Sequence, residues 1–385
     1  MNRKQFIILL AFVVVLGAAG LLVHQHKNES WRGGGMAIGR KLLPNLAVND
    51  IAQLTIKSGT GEVNLVRRDN LWRVHERGDY PANFSRISEL LMKFADIKAV
   101  QSEDIGPSQL GRFELLPAGS GANTGTLLEL KDQGGKTAGS VLLGKKHMSK
   151  PAGNAQFSGM ADAGWADGRY VMVGAGAKTL EVISDPLDTV QPKPESWLNQ
   201  DFVSIEKPRA ITVQFAEATN DWRLARESET NDWQLADAKA GETLDLSKIS
   251  GVTSPFSSPS FSDVAPAGAG LPARSTVLTV ETFEGFNYVA KIGSKAGENY
   301  PVSFSITAKL PAARTPAKDE QAGDKARRDA EFKELQGRLN EKISREAAFT
   351  NWIYQMPAYL VDPLLKPRQQ LLAEAKKEES PKSEK

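Results

Sequence analysis

The sequence predicts an α+β fold: an N-terminal transmembrane helix, then two tandem, diverged repeats. Each repeat is expected to be an antiparallel strand meander with a packed helix, and the second carries a charged helical insertion. Three observations lead there. Phe6 to Val23 reads FIILLAFVVVLGAAGLLV, with no charge and no proline. Short alternating runs separated by Gly, Asn and Asp turns recur from Leu42 onward. Several local patterns then return in the same order later in the chain.

The apolar segment is 18 residues long. As a helix it spans about 27 Å at ~1.5 Å per residue, just enough for a ~30 Å hydrocarbon core. Arg3 and Lys4 precede it, as in an export signal or signal anchor. Leu21, Leu22 and Val23 carry the run past the small residues Gly17 to Gly20, which favours an uncleaved anchor over a cleaved signal peptide. The expected location is the bacterial inner (cytoplasmic) membrane. Residues 6–23 would contact the bilayer as a single pass, with the bulk of the chain extracytoplasmic or periplasmic.

The expected organisation follows from composition. Residues 1–27 form a cytoplasmic tip and anchor, and the polar, glycine-rich residues 28–41 form a flexible tether. The first repeat covers 42–200 and the second 205–365. The polar stretch 366–385 is expected to be a disordered tail.

In the first repeat, Ile51–Ile56, Glu62–Arg67 and Leu71–Val74 read as strands. They are separated by turns at Ser58–Gly61 and Asp69-Asn70. A helix follows, with Ile87, Leu90, Leu91 and Phe94 at helical spacing and Asn83 or Ser85 as cap. Thr126–Leu130, Ser140–Leu143 and Tyr170–Val173 are further strands. In the second repeat, strands are expected at 210–215, 222–226, 277–280 and 288–292. Leu244, Ile249 and Val252 suggest a corresponding, weaker helix.

The echoes are specific. Asn231-Asp232-Trp233-Gln234-Leu235 repeats the pattern from Asp69 to Val74. Ile292-Gly293 matches Leu143-Gly144, and Asp362-Pro363-Leu364 matches Asp185-Pro186-Leu187. The tryptophans of the pair lie 161 residues apart, the glycines 149 and the Asp-Pro steps 177. Order is kept while spacing drifts, and the last jump requires an insertion in the second copy. Residues 312–347 supply it: a charged stretch in which Phe332, Leu335, Leu339 and Ile343 make one apolar stripe. That stripe must be covered, either by the host domain or by a partner, and its four residues are the candidate partner-binding site. The core of the first copy is complete without such a helix. Deletion of Ala317 to Arg345, bridged by a short Gly/Ser linker, is therefore expected to leave the rest folded.

Chemistry is scarcely written in the chain. Lys plus Arg number 48 and Asp plus Glu 46, so no concentrated basic surface points to nucleic acid. There are no cysteines, which removes disulfides and thiolate metal sites. His24 and His26 lack the spacing and carboxylates of a metal site. His75 and His147 stand in no recognisable motif. No catalytic, cofactor-binding or metal-ligating residue is assigned, and no enzyme is expected. Trp72 and Trp233 read as core anchors of each copy. Trp165, Trp197 and Trp352, close to loops, suit stacking on a sugar or peptide better.

The succession of anchor, Leu42-Leu43-Pro44, the Ile51–Ile56 strand, the Leu71–Val74 hairpin, Pro81-Ala82, a helix, Leu-Gly-Lys and Asp-Pro-Leu resembles a bacterial family, the domain of unknown function 4340 (DUF4340). The resemblance covers about residues 42 to 365 in two copies. It implies a non-enzymatic accessory or scaffold subunit of an ABC-type transport or envelope system, beside a permease and GldG-like subunits. It offers no catalytic residues to carry over. The alternatives are an envelope glycan- or peptide-binding protein independent of a transporter, and an anchored hydrolase with an unrecognised site.

Overall fold

The computed structural model describes residues 39–149, 165–174, 176–271, 275–316 and 320–374. The expected anchor at 6–23, most of the tether and the end of the tail lie outside them. No helix among the described residues is long and apolar enough to cross a membrane. The chain divides into two compact units, Met1–Asn199 and Gln200–Lys385. Each is built on one antiparallel sheet, so the architecture is mixed α+β with few helices.

The first unit begins where residues 39–42 pair beside Ile97 and Ala99. Gly39 N donates to Ala99 O and Leu42 N to Ile97 O, each at 2.9 Å. Arg40 meets Glu181 at 3.2 Å and Lys41 meets Asp96 at 2.8 Å. Residues 39–41, expected in the tether, are therefore part of the first unit. Strands β1 (Ile51–Ser58), β2 (Gly61–Arg68) and β3 (Leu71–Val74) form a meander. The β2–β3 turn works because Asp69 and Asn70 both take positive φ, 50° and 61°, the left-handed pair a tight hairpin needs. After β4 (Tyr80–Pro81) comes helix α1 (Phe84–Asp96). Asn83 caps it by accepting from Arg86 N, and Ile87, Leu90, Leu91 and Phe94 are all buried.

Next comes β5 (Ala99–Asp104), followed by β6 (Thr126–Asp132), β7 (Thr137–Met148), β8 (Ala166–Val173) and β9 (Thr179–Ile183). The sheet order is β4-β3-β2-β1-β6-β7-β8-β9-β5. The chain thus crosses from one edge to the other through α1 before the second meander returns. Residues 105–117 pack a second apolar cluster, in which Ile105 and Leu115 meet Met172 and Leu180. The carbonyl of Phe113 comes so close to Gly144 that a Cβ there would collide with it. After β9 the chain straps back to the first edge, where Asn83 N donates to Trp197 O and Asn199 N to Pro81 O.

The second unit contains β10 (Pro208–Gln214), β11 (Trp222–Ala225), β12 (Gln234–Leu235), β13 (Asp263–Pro266), β14 (Thr276–Thr282), β15 (Phe286–Ile292), β16 (Asn299–Ala308) and β17 (Trp352–Pro357). Their order, β12-β11-β10-β14-β15-β16-β17-β13, matches that of the first sheet strand for strand once β4 is set aside. Trp72 pairs across from Arg67. Trp233, one residue before β12, has the Arg226 guanidinium 4.8 Å from its ring centre, in the same place along the hairpin.

The expectation of a packed helix in each repeat fails for the second. Residues 236–262 form turns, although Ile249, Val252, Phe256 and Phe261 are buried. Gly251 and Pro255 interrupt the stretch, and its serines favour local turns over a continuous helix. The long helix of this unit is α2 (Ala322–Ala347), inserted between β16 and β17. Residues 366–374, expected in the tail, are folded. The 3-10 turn Arg368–Leu371 buries both of its end residues, and Asp245 N donates to Leu371 O at 2.9 Å.

Candidate functional site

The inserted helix α2 carries the candidate residues. Its sequence favours a helix that is mostly solvated: Asp324 stands in the first turn and Arg345 in the last, complementing the helix dipole. Exposed pairs at helical spacing, Arg327–Glu331 at 2.7 Å and Arg338–Glu334 at 3.3 Å, add little each.

The first part of α2 lies beside the chain that leads into it. Arg314 forms a two-pronged contact with Glu320, 2.8 Å on each prong, and also reaches Asp329 at 2.8 Å. Glu320 is almost wholly buried by this arrangement. Gln336 donates to Pro311 O at 2.7 Å. Phe332 and Leu335 are half-buried here. With Arg314, Thr315, Arg328, Glu331 and Arg338 they line a shallow groove of ≈ 570 Å³.

The last part of α2 is a foot set on the sheet. Leu339 is buried and Ile343 half-buried. Glu346, one residue from the end, is 0% exposed. Its Oε2 accepts from Tyr288 Oη at 2.8 Å, and its Oε1 from Ser204 N at 3.3 Å. Lys342 donates to Ser204 O at 2.8 Å, lies 3.7 Å from Glu206, and sits 5.4 Å from the Phe286 ring centre. Burial pushes the Glu346 carboxyl above the usual carboxylate range, against the opposing pull of its hydrogen bonds and of Lys342. Burial, and then the neighbouring Glu346, push the Tyr288 phenol up, so it remains a hydrogen-bond donor.

The four stripe residues are therefore divided. Leu339 and Ile343 belong to the foot, while Phe332 and Leu335 face the groove. Sequence reasoning missed Glu346, Tyr288, Lys342 and Ser204. One signal was present: Glu346 falls seven residues after Leu339 and three after Ile343, on the apolar stripe itself. An acid at such a position is a candidate for burial.

The other singled-out residues are dispersed. Trp72 is buried, whereas Trp233 is only half-buried. Trp197 is fully buried, with its indole N–H donated to Gln191 O at 2.9 Å, so it offers no stacking surface. Trp352 is half-buried, and Trp165 is 62% exposed. His75 Nδ1 lies 3.3 Å from Asp79, and His147 Nδ1 lies 2.6 Å from Asp167. The latter bond holds the Asp167 carboxyl below its usual range. Among the described residues, no group of three or more His, Asp or Glu is placed to hold a metal ion.

Fold and site together define a protein of two topologically equivalent antiparallel α+β units, one bearing a helical arm with a buried polar foot. The family described as domain of unknown function (DUF4340) matches residues 72–275, more than half of the chain, and the protein belongs to that family. The match runs from β3 of the first unit into the second. No curated protein and no solved structure matches the chain.

Proposed function

We propose that this protein is a non-enzymatic, membrane-anchored extracytoplasmic accessory or scaffold subunit of an ABC-type transport or envelope system. The observation that carries the reading is the division of α2. Its foot is fixed to the sheet, while Phe332 and Leu335 stand half-covered in a groove rimmed by Arg328, Glu331 and Arg338. An apolar pair inside a charged rim is the usual anatomy of a protein-binding surface. The apolar run Phe6–Val23 and the family resemblance support a place beside a permease and GldG-like subunits. The test is purification of the full chain in mild detergent, comparing wild type with Leu335→Asp. Transporter subunits that copurify with wild type and are lost from the variant support the proposal. A wild-type preparation free of transporter subunits refutes it.

A second reading, an envelope glycan- or peptide-binding protein, is favoured by Trp165. It is exposed on the β7–β8 hairpin near Met148, which is 51% exposed. Saturation-transfer NMR with peptidoglycan fragments, on wild type and Trp165→Ala, tests it. A signal that disappears in the variant would favour this reading over the scaffold.

A further inference from the structure

We infer that the foot of α2 is a pH-responsive latch: Glu346, held by Tyr288 and Ser204, docks the helix while its carboxyl is neutral, and ionisation loosens the foot. Loosening would bare Leu339 and Ile343 in line with Phe332 and Leu335, turning two half-covered residues into one continuous apolar stripe. That consequence for partners rests on the scaffold reading above, but the latch itself does not.

The geometry carries the inference. Glu346 has no solvent access, and the hydrogen bonds to its oxygens come from uncharged donors, the Tyr288 hydroxyl and the Ser204 amide. Lys342, the nearest cation on its own helix, is engaged elsewhere, with Ser204 O and Glu206. Arg345, adjacent in sequence, is exposed. The other groups facing the foot do not neutralise a carboxylate. Glu206 comes from the segment leading into β10. Glu284 comes from the β14–β15 turn, where it is tied to Lys207 at 3.0 Å. Tyr288 comes from β15. A buried carboxylate without a bonded cation is costly, and the neutral acid costs far less.

The direction follows from linkage. Docking raises the proton affinity of Glu346 above its ordinary value of 4.5. The docked state therefore keeps a proton that the undocked state releases. Docking is strongest below pH 4.5 and weakens as pH rises through the raised value. Outside the foot little holds the helix to the sheet, because residues 323–338 are exposed or half-exposed.

The test is hydrogen exchange of the full chain in detergent from pH 5 to pH 9, corrected for intrinsic exchange and read on peptides covering 339–350. Glu346→Gln keeps an acceptor for Tyr288 and removes the titration. In wild type, protection of the foot should fall with rising pH, by up to about tenfold per pH unit inside the window. In Glu346→Gln it should stay level. Tyr288→Phe should lower protection at every pH while retaining the slope. Equal pH dependence in wild type and Glu346→Gln would overturn the latch, as would protection in wild type that does not change with pH. Because no partner is present in this measurement, a working latch without copurifying subunits would count against the scaffold reading alone.

Discussion

The two units solve one topological problem with different parts. Both sheets send a chain across to the far edge and bring back a four-strand meander, and both end in a strap that returns to the first edge. In the first unit the helix is in the crossover, as α1. In the second that crossover is a run of turns, and the helix appears later, between β16 and β17. The straps differ as well. In the first, Arg86 on α1 grips strap carbonyls, Ser196 O at 2.7 Å and Thr189 O at 3.1 Å, and lies 4.9 Å from the Trp197 ring centre. In the second the cation is on the strap itself. Arg368 reaches Glu242 at 2.7 Å and Asp237 at 2.8 Å, and Trp222 of β11 donates to Lys366 O at 2.8 Å. The cores diverge too. Phe202, Phe261, Phe304, Phe349 and Tyr354 form a ring cluster in the second unit, while α1 buries mainly aliphatic side chains. The topology is shared although these supporting contacts differ.

The sharpest way to break the comparison is to remove the tryptophans. Trp72→Ala should cost roughly 3–5 kcal/mol through cavity formation, and Trp222→Ala a similar amount. Trp233→Ala, at the position matching Trp72, should cost well under half of that because its ring is half-open. Chemical denaturation followed by hydrogen exchange within each sheet measures all three. Equal losses at Trp72 and Trp233 would mean that the copies use the hairpin alike.

A smaller effect separates the foot of α2 from its arm. Leu339→Ala should cost about 2–4 kcal/mol, and Leu335→Ala under about 1 kcal/mol. The buried foot bears on whether the insertion is dispensable, because Leu339 and Glu346 are both covered. Deleting 322–347 should lower the thermal midpoint of the second unit, and an unchanged midpoint would restore the original view.

The straps should differ in acid. The hydrogen bond from Arg368 holds the Glu242 carboxyl down at about 2, against an ordinary value of 4.5. A depressed carboxylate contributes stability that is present above 4.5 and lost as pH falls toward 2. Protection around Thr243–Asp245 and Leu371–Ala373 should therefore decline through that window and become level in Glu242→Gln. The first strap, which Arg86 holds through carbonyl oxygens, should show no such slope from its clamp. The smallest effect is expected at Arg327→Gln, on the exposed face of α2, where the midpoint should not move measurably.

Much of this could be read from residues close together in the chain. The Asp69-Asn70 turn, the cap and apolar face of α1, the Asp-Pro-Leu echoes and the stripe on α2 are local, because turn chemistry and helical periodicity act over a few residues. Other features depended on segments far apart. Strand β5, with Gln101, Ser102, Glu103 and Asp104, has no alternation to betray it, and it becomes a strand because β9 pairs with it. Trp197 looked like a loop aromatic and is buried because its strap returns to β4. Trp222 and Trp233 are alike as residues, yet only Trp222 lies beneath a strap. Of the α2 stripe only Leu339 is buried, and the other three residues stay half-covered, because Ser204 and Tyr288 meet the helix only at its foot. Local geometry is decided by neighbours in sequence. Burial, and with it the charge state of a group such as Glu346, is decided by whatever distant segment the folded chain lays over it.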